Sequence, residues 1–265
     1  MILGIAFWVE IINEIKRYKE FLKSNVKKDI RGKYKGSFLG VLWSFINPLL
    51  SVVIYAIVFH YIMRFNIENY LIYLIAGIIP WTFFTSAINA GMNSILFNSD
   101  IIKKVYFPRI ILPISGVTSC LVNFLISCIV IVMFAIFSGV GISFNLIFLP
   151  LIVLIQYIFT LGIAFVLSAV EIYVRDIEHI INFFIGMLFY ITPILYTPDY
   201  VPAKFSFLLK INPLSYIIEA YHSIFYYKQM PNMVNLGIIS LISAVVFIVG
   251  YMIFNKLQKG FAEEV

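Results

Sequence analysis

Charged side chains are scarce in this sequence. They make up 12% of its 265 residues, whereas 62% are hydrophobic; an ordinary soluble domain holds about 25% charged residues. Residues 36–63 and 110–170 contain no Lys, Arg, Asp or Glu at all. Because about 20 apolar helical residues cross the hydrocarbon core of a bilayer, the sequence predicts an all-α, polytopic membrane protein.

Residues that carry catalysis or bind metals are also few. The two cysteines, Cys120 and Cys128, are eight positions apart, roughly 12 Å along a helix, which is too far for a disulfide. The three histidines are far apart in the sequence, so no metal site is expected. A phosphate-binding Gly-Lys-Ser/Thr loop is missing, which excludes ATP hydrolysis by that route. We therefore expect neither an enzyme nor a cofactor bound by this chain.

The basic residues are distributed unevenly, which predicts the orientation. Nine of the 19 Lys and Arg residues lie in residues 1–38. With six spans, 15 cations fall on the side of both termini and four on the other side. The positive-inside rule then places both termini in the cytoplasm. Nucleic acid is not expected as a partner, because no soluble domain exists to present a groove.

The chain is expected to form one membrane domain over residues 1–265. It divides into a cytoplasmic amphipathic and basic segment (1–35), a six-helix membrane domain (36–255) and a cytoplasmic tail (256–265). Apolar residues at helical spacing predict an amphipathic helix over 5–26, lying in the membrane interface or packed on a partner. Proline-broken, aromatic residues 197–228 predict short re-entrant or interfacial helices between spans five and six. The six spans are expected near residues 38–63, from about 70 to before 95, 110–137, 146–173, 180–196 and 233–255.

Intramembrane charge, the usual mark of ion coupling, is almost absent. Glu171 and Arg175 lie four residues apart at an inner helix end, which predicts a local ion pair rather than a proton relay. The chain therefore shows no energy source of its own. Transport would require a partner.

Four segments, in this order, resemble one known family: YKGSFLGVLWSFINPLL (34–50), KKVYFPRIILPIS (103–115), RDIEHIINFFIGMLFYITPILY (175–196) and NPLSYIIEAYH (212–222). They are similar to permease subunits of ABC transporters that export lipid-linked polysaccharides, the O-antigen and teichoic-acid exporters. The chain departs from many members at His222, where they have Arg. Two alternatives stay open: an exporter of the same architecture for a drug or small lipid, and a membrane enzyme acting on polyprenyl-linked sugar.

The resemblance implies a homodimer in the bacterial cytoplasmic (inner) membrane that works with two copies of a separate ATPase, which binds ATP and Mg²⁺. It also implies that residues 95–107 form a coupling helix that docks on this ATPase, with the loop 171–179 as a second contact. The coupling candidates are Ile101, Ile102, Lys103, Lys104, Val105, Phe107, Arg109, Arg175 and Asp176.

A hydrated glycan needs a polar route, and a two-fold interface between two copies would supply one. Sugars stack on aromatic rings, although aromatic residues also form membrane-interface belts and pack in cores. The candidates for the substrate path are Trp43, Phe45, Tyr55, Phe59, Tyr190, Tyr196, Tyr200, Tyr216 and Tyr221. A basic run would bind the pyrophosphate of a lipid-linked substrate, or simply fix the topology. Its members are Lys27, Lys28, Arg31, Lys33, Tyr34 and Lys35.

Overall fold

The structure, a computed structural model, describes residues 17–33, 38, 40–64, 67–104, 107–137, 139 and 141–261. All regular elements in these ranges are helical, in agreement with the predicted fold class. We number the α-helices α1 (Lys19–Lys33), α2 (Trp43–Tyr55), α3 (Tyr70–Met92), α4 (Ser99–Lys104), α5 (Ile111–Phe137), α6 (Leu149–Glu171), α7 (Ile177–Ile191), α8 (Ser206–Ile211), α9 (Pro213–Phe225) and α10 (Met233–Leu257).

Four helical stretches are long and apolar enough to cross a membrane. They are α3, α5 up to Ile136, α6 with the turn before it (Phe144–Glu171), and α10 with the turn after it (Met233–Gly260). Their bounds agree with four of the predicted spans to within a few residues. In a bilayer core every backbone polar group needs a partner, so an uninterrupted apolar run of this length forms a helix.

The other two predicted spans correspond to shorter α-helices. α2 has 13 residues, contains Pro48, and continues directly into a π-helix over Ala56–Ile62. α7 has 15 residues. Both are apolar, but neither is as long as the four helices above. The count of six spans therefore stays a prediction.

α3 lies at the centre of the fold and packs against α2, α5, α6, α7 and α9. Small residues allow its close approach to two neighbours. A Cβ on Gly116 of α5 would lie 2.8 Å from the carbonyl oxygen of Ala90, and one on Gly91 would lie 2.6 Å from the Cβ of Ala164 on α6. Such contacts between small residues are typical of helices that associate in membranes, where burial from water contributes little.

α6 and α10 form the second close contact. A Cβ on Gly162 would lie 2.6 Å from the Cα of Phe247, and one on Gly250 would meet the carbonyl oxygen of Gly162. Next to this crossing the ring of Phe165 contacts Phe247 and Phe254, with centroid distances of 5.6 and 5.8 Å. The glycines let the two backbones touch, and the aromatic rings fill the space beside them.

Residues 197–228 form short helices, as predicted. Two single turns (Pro198–Tyr200 and Ala203–Phe205) precede α8 and α9. Their re-entrant placement stays a prediction. At the N-terminus the helix predicted over 5–26 is described only from residue 17, and α1 extends through the basic segment to Lys33.

Candidate functional site

An aromatic cavity lies where α7 meets the short helices that follow it. Its volume is about 480 Å³, and its walls include Tyr190, Tyr196, Tyr200, Pro202 and Phe205. The Tyr196 hydroxyl donates to the carbonyl oxygens of Tyr190 and Ile191 at 2.8 and 3.1 Å, which holds this ring in place. Three of the predicted path residues are therefore brought together here.

Other predicted path residues meet between α2 and α7. The Tyr55 ring lies 5.6 Å from that of Phe189 and 6.4 Å from that of Phe59, and Phe189 lies 5.4 Å from Tyr190. The side chain of Phe45 lies outside the described residues. Tyr216 is half-buried, and its hydroxyl donates to the carbonyl oxygen of Lys210 at 2.8 Å.

Tyr221 does not belong to a path surface, which corrects the prediction for this residue. It is fully buried, and its hydroxyl donates to Oε1 of Gln156 at 2.7 Å. Gln156 in turn donates to the carbonyl oxygen of Pro80 at 2.9 Å. This chain of hydrogen bonds joins α9, α6 and α3 inside the core. The EAYH segment therefore turns its tyrosine towards the bundle, which composition alone does not reveal.

The short segment after α7 is held by tyrosines of α3. Tyr70 donates to the carbonyl oxygen of Leu195 at 2.6 Å, and Tyr73 donates to those of Pro193 and Tyr196 at 3.1 and 2.6 Å. The His222 ring stacks on Tyr73 with centroids 3.9 Å apart. Buried among these rings, His222 has the carbonyl oxygen of Tyr73 as its hydrogen-bonding partner, at 3.1 Å. His222 is therefore a core residue that packs against Tyr73.

The basic helix α1 presents its cations on two sides. Lys27 and Arg31 border a groove of about 390 Å³ whose walls are largely apolar. Lys28 turns the other way, and its Nζ donates to Oδ1 of Asn98 at 3.2 Å. Beside it, burial raises the pKa of Asp29, partly offset by the charge of Lys28. The side chain of Lys33, and all of Tyr34 and Lys35, lie outside the described residues.

The predicted coupling segment is only partly exposed. Phe107 is buried, with its ring 4.9 Å from that of Phe21 on α1, so it is not available to a partner in this conformation. Ile102 also packs against the core. Phe97, which the sequence analysis did not single out, is 80% exposed. The side chains of Ile101, Lys103 and Lys104, and all of Val105, lie outside the described residues.

The C-terminal end of α10 contacts Arg109 at the end of the predicted coupling segment and Tyr173 in the loop 171–179. Arg109 donates to the carbonyl oxygen of Gln258 and lies over the Phe261 ring at 5.7 Å. Tyr173 donates to the carbonyl oxygen of Leu257 at 2.9 Å. Arg109 is thus half-buried in contacts with its own chain, whereas Arg175 and Asp176 are exposed.

The predicted ion pair between Glu171 and Arg175 is wrong. Glu171 is buried, and its Oε2 has no hydrogen-bond partner within the described ranges. Helix α6 ends at Glu171, so Arg175 lies in the following turn and the helical spacing is lost. Nearby, Asn93 donates to Glu178 at 3.3 Å and so connects α3 with the start of α7. In the described part of the chain no group of three His, Cys, Asp or Glu could hold a metal ion.

A polar groove between α1, α2, α3 and α5 was missed by the sequence analysis. It contains two adjoining cavities that share Ser86, Cys120 and Asn123. The signal was present as polar residues at four-residue steps on α3 and α5. Serine and threonine barely change the hydropathy of a span, so this pattern does not stand out in an apolar sequence.

Comparison with known proteins gives a consistent result. Residues 20–226 match the family model described as ABC-2 type transporter. An O-antigen export system permease protein RfbA from Klebsiella pneumoniae is 38% identical over 237 residues, which cover 89% of this chain and 91% of that protein. The protein of the same name from Myxococcus xanthus is 31% identical over 259 residues, covering 97% and 100%. The polysialic acid transport protein KpsM of Escherichia coli is 21% identical over 240 residues, covering 88% and 92%.

Proposed function

This chain belongs to the ABC-2 type transporter family, and we propose that it is the permease subunit of an ATP-driven exporter of a lipid-linked polysaccharide. The observation that carries the proposal is its similarity, over nearly its whole length, to two O-antigen export permeases. A more distant relative is named for the transport of another polysaccharide, polysialic acid. The same names favour a glycan over a drug as the cargo.

Energy comes from a separate ABC ATPase in this proposal, with two copies of it serving a dimer of this chain. The ATPase binds ATP and Mg²⁺ and contacts the segment 95–107 and the loop 171–179. Exposed Phe97, Arg175 and Asp176 support this placement, because a large exposed apolar side chain next to exposed charges suits a docking site.

The glycan passes between two copies in this proposal. The exposed faces of α2 and α7 favour an interface there, since α7 exposes Phe183, Met187 and Tyr190, and α2 exposes Leu50 and Ile54. Tyr190 and Tyr200 stand at the aromatic cavity at one end of this surface, where sugar rings can stack. α2 and α7 complete the set of six spans.

Charge sets the orientation of the chain in the membrane. Both termini lie on the cytoplasmic side of the bacterial inner membrane, because most of the cations flank the spans on that side. Lys27 and Arg31 on α1 are both exposed and one turn apart, so together they can bind the pyrophosphate of a lipid-linked substrate.

Export can be tested in the host strain. We expect deletion of the gene to leave the polysaccharide attached to its lipid on the cytoplasmic side and absent from the surface, as seen by antibody labelling before and after cell lysis. The wild-type gene restores labelling, whereas the K27Q/R31Q double variant inserts normally but restores at most about a tenth of it. Normal surface labelling in the deletion strain would refute the proposed function.

Docking of the ATPase can be tested separately by co-purification. Phe97→Asp is expected to reduce the amount of ATPase that co-purifies with the chain at least tenfold, because a charge replaces an exposed apolar contact. Phe144→Asp is the matched control, since Phe144 is 86% exposed and lies between α5 and α6 at the opposite end of these helices. Equal recovery of ATPase with both variants would exclude Phe97 from the contact.

A further inference from the structure

The polar groove combines two stripes of small polar residues on facing helices. On α5 the stripe is Ser115, Ser119, Asn123 and Ser127, which spans about 18 Å at 1.5 Å per residue. On the α3 side it comprises Thr82, Ser86 and Ser94. Since helical residues four apart lie on the same face, the stripe on α5 follows the length of the groove, as do Thr82 and Ser86 on α3, and Ser94 lies in the turn after α3.

Two cavities make up the groove. The one near α1 measures about 410 Å³ and includes Lys28 and Asn98 in its wall. The one near α2 measures about 180 Å³ and includes Trp43 and Asn47. Asn123 lines both cavities and so marks their junction. A ligand that extends from one cavity into the other must pass this amide.

Most hydroxyl protons of the groove are already used within the helices. The hydroxyls donate to backbone carbonyl oxygens three or four residues earlier, at 2.6 to 3.0 Å. This holds for Thr82, Ser94, Ser115, Ser119 and Ser127. Each hydroxyl oxygen keeps lone pairs that can accept a hydrogen bond. The groove therefore offers chiefly acceptors, which suits a ligand with many O–H donors.

The side-chain oxygen of Asn123 lacks such a donor within the described ranges. This oxygen, Oδ1, is buried and has no hydrogen-bond partner among the residues that the structure describes. An unpaired buried amide oxygen is costly, and more so in a span where no bulk water is at hand. This oxygen faces away from the cavity surface, so the Asn123 amide must rotate towards the junction of the two cavities before a ligand hydroxyl can supply the missing bond.

The charges at the α1 end favour a neutral ligand over a phosphate. Among the described residues Lys28 is the one cation in the groove wall, and its Nζ is already bonded to Asn98. Asp29 lines the same cavity and brings a carboxylate next to it. Phosphate recognition ordinarily uses cationic donors that are not offset by an acid. At the other end Trp43, 39% exposed, offers a ring face on which a sugar can stack.

We propose that the polar groove is a binding site for a neutral sugar unit, held by Asn123 and the serine and threonine oxygens. The inference rests on the proposed function for the source of the sugar, because an exporter of glycans would supply it. It includes Trp43, one of the aromatic candidates for the substrate path, but lies within one copy of the chain, between α1, α2, α3 and α5. Such a site would hold one unit of a glycan or the sugar headgroup of a membrane glycolipid.

Binding can be measured on the purified complex of this chain with its ATPase in phosphatidylcholine nanodiscs. The soluble probes are the methyl glycosides of glucose, galactose, mannose and rhamnose, followed by saturation-transfer NMR. The membrane probes are glucosyl-diacylglycerol and phosphatidylglycerol, each added to the discs and followed by the shift in the thermal unfolding midpoint. We expect at least one neutral sugar probe to bind, in the soluble arm for a glycan source or in the glycolipid arm for a lipid source.

Two variants test whether the bound sugar lies in the groove. Asn123→Leu is expected to weaken the binding of the sugar probe at least tenfold, whereas Asn123→Gln, which keeps the amide, retains it to within about threefold. Ser86→Ile, which narrows the junction of the cavities, should also weaken it. Each variant must first elute like the wild type on size exclusion. Binding of none of the sugar probes, binding of phosphatidylglycerol alone, or unchanged binding by Asn123→Leu and Ser86→Ile would overturn the inference.

This result can be separated from a failure of the proposed function. If sugar binds through Asn123 but the deletion strain still exports its polysaccharide, the groove is a sugar site and the proposed function is wrong. If export requires the chain but no sugar probe binds, the inference about the groove is wrong and the proposed function stands.

Discussion

α3 and α10 are both apolar enough to cross a bilayer, yet they are buried to very different extents. Buried residues make up 78% of the apolar stretch of α3 but only 33% of that of α10. α3 packs against five α-helices, whereas most of the packing of α10 is on α6. The more buried of the two carries Thr82, Thr85, Ser86 and Asn89, and the less buried is almost entirely aliphatic on its outer side.

Hydropathy in this protein therefore follows contact with lipid rather than burial in protein. In a bilayer an exposed leucine is already in an apolar solvent, so covering it brings little gain. Close packing depends instead on small residues that let backbones meet and on polar groups that find partners. Both features appear on α3, whereas the inner side of α10 shows the close backbone approach at Gly250.

The largest effect is expected at the crossing of α10 with α6. Gly250→Val should destabilise the fold by about 3 kcal/mol, at the upper end of overpacking costs, because the added carbon meets a backbone oxygen of Gly162 that cannot move aside. Gly237→Val on the same helix should be nearly neutral, because open space surrounds that position. The fraction of monodisperse protein on size-exclusion chromatography in detergent measures the loss of folded protein in both variants. Similar losses for the two variants would show that α10 has no buried side.

The next effect compares the same substitution on the two helices. Leu74→Ala on α3 should cost about 2 kcal/mol, the lower end for buried leucines, because lost packing counts here but transfer from water does not. Leu241→Ala on α10, where the side chain is 69% exposed, should cost less than about 0.5 kcal/mol. Thermal unfolding midpoints of the two variants in the same detergent measure these costs. A larger cost for Leu241→Ala would invert the comparison.

A smaller effect concerns the hydrogen bonds that reach α3. Tyr221→Phe leaves Oε1 of Gln156 without its donor in the core and should cost about 1–2 kcal/mol. Tyr216→Phe, which removes a hydroxyl bonded to an exposed carbonyl oxygen, should cost at most about 0.5 kcal/mol. Thermal midpoints again measure the two costs. If Tyr221→Phe is as mild as its control, the Gln156 network does not help to hold α9 on α3.

Much of the helical framework follows from the sequence, because a bilayer leaves a long apolar run few alternatives. α5, α6 and α10 begin and end within a few residues of the predicted spans. The sequence does not reveal which faces meet, since in lipid the apolar and the buried faces need not coincide. For that reason Tyr221 was predicted to line the substrate path and Phe107 to contact the ATPase, whereas both lie in the core. The predicted ion pair of Glu171 with Arg175 likewise assumed that the helix continues past Glu171.

The candidate site, too, could be predicted from the sequence only in part. Aromatic residues near the end of α7 could be grouped from the sequence, because prolines confine them to one short segment. The polar groove could not, because it exists only where α3 and α5 face each other, and that pairing depends on contacts such as the one between Gly116 and Ala90.

The smallest effects are expected at two buried serines, where substitution by alanine should change the stability in opposite directions. Ser243 of α10 is buried, and its hydroxyl has no hydrogen-bond partner in the described ranges. Ser168 of α6 is equally buried, but its hydroxyl donates to the carbonyl oxygen of Phe165 at 3.1 Å. Because an unpaired hydroxyl costs free energy in a packed interior, Ser243→Ala should stabilise the protein by up to about 1 kcal/mol, whereas Ser168→Ala should destabilise it by about 0.5–1 kcal/mol. Thermal midpoints measured side by side give both signs. Destabilisation by Ser243→Ala would mean that this hydroxyl has a partner in the membrane, which would make the inner side of α10 a polar contact surface like that of α3.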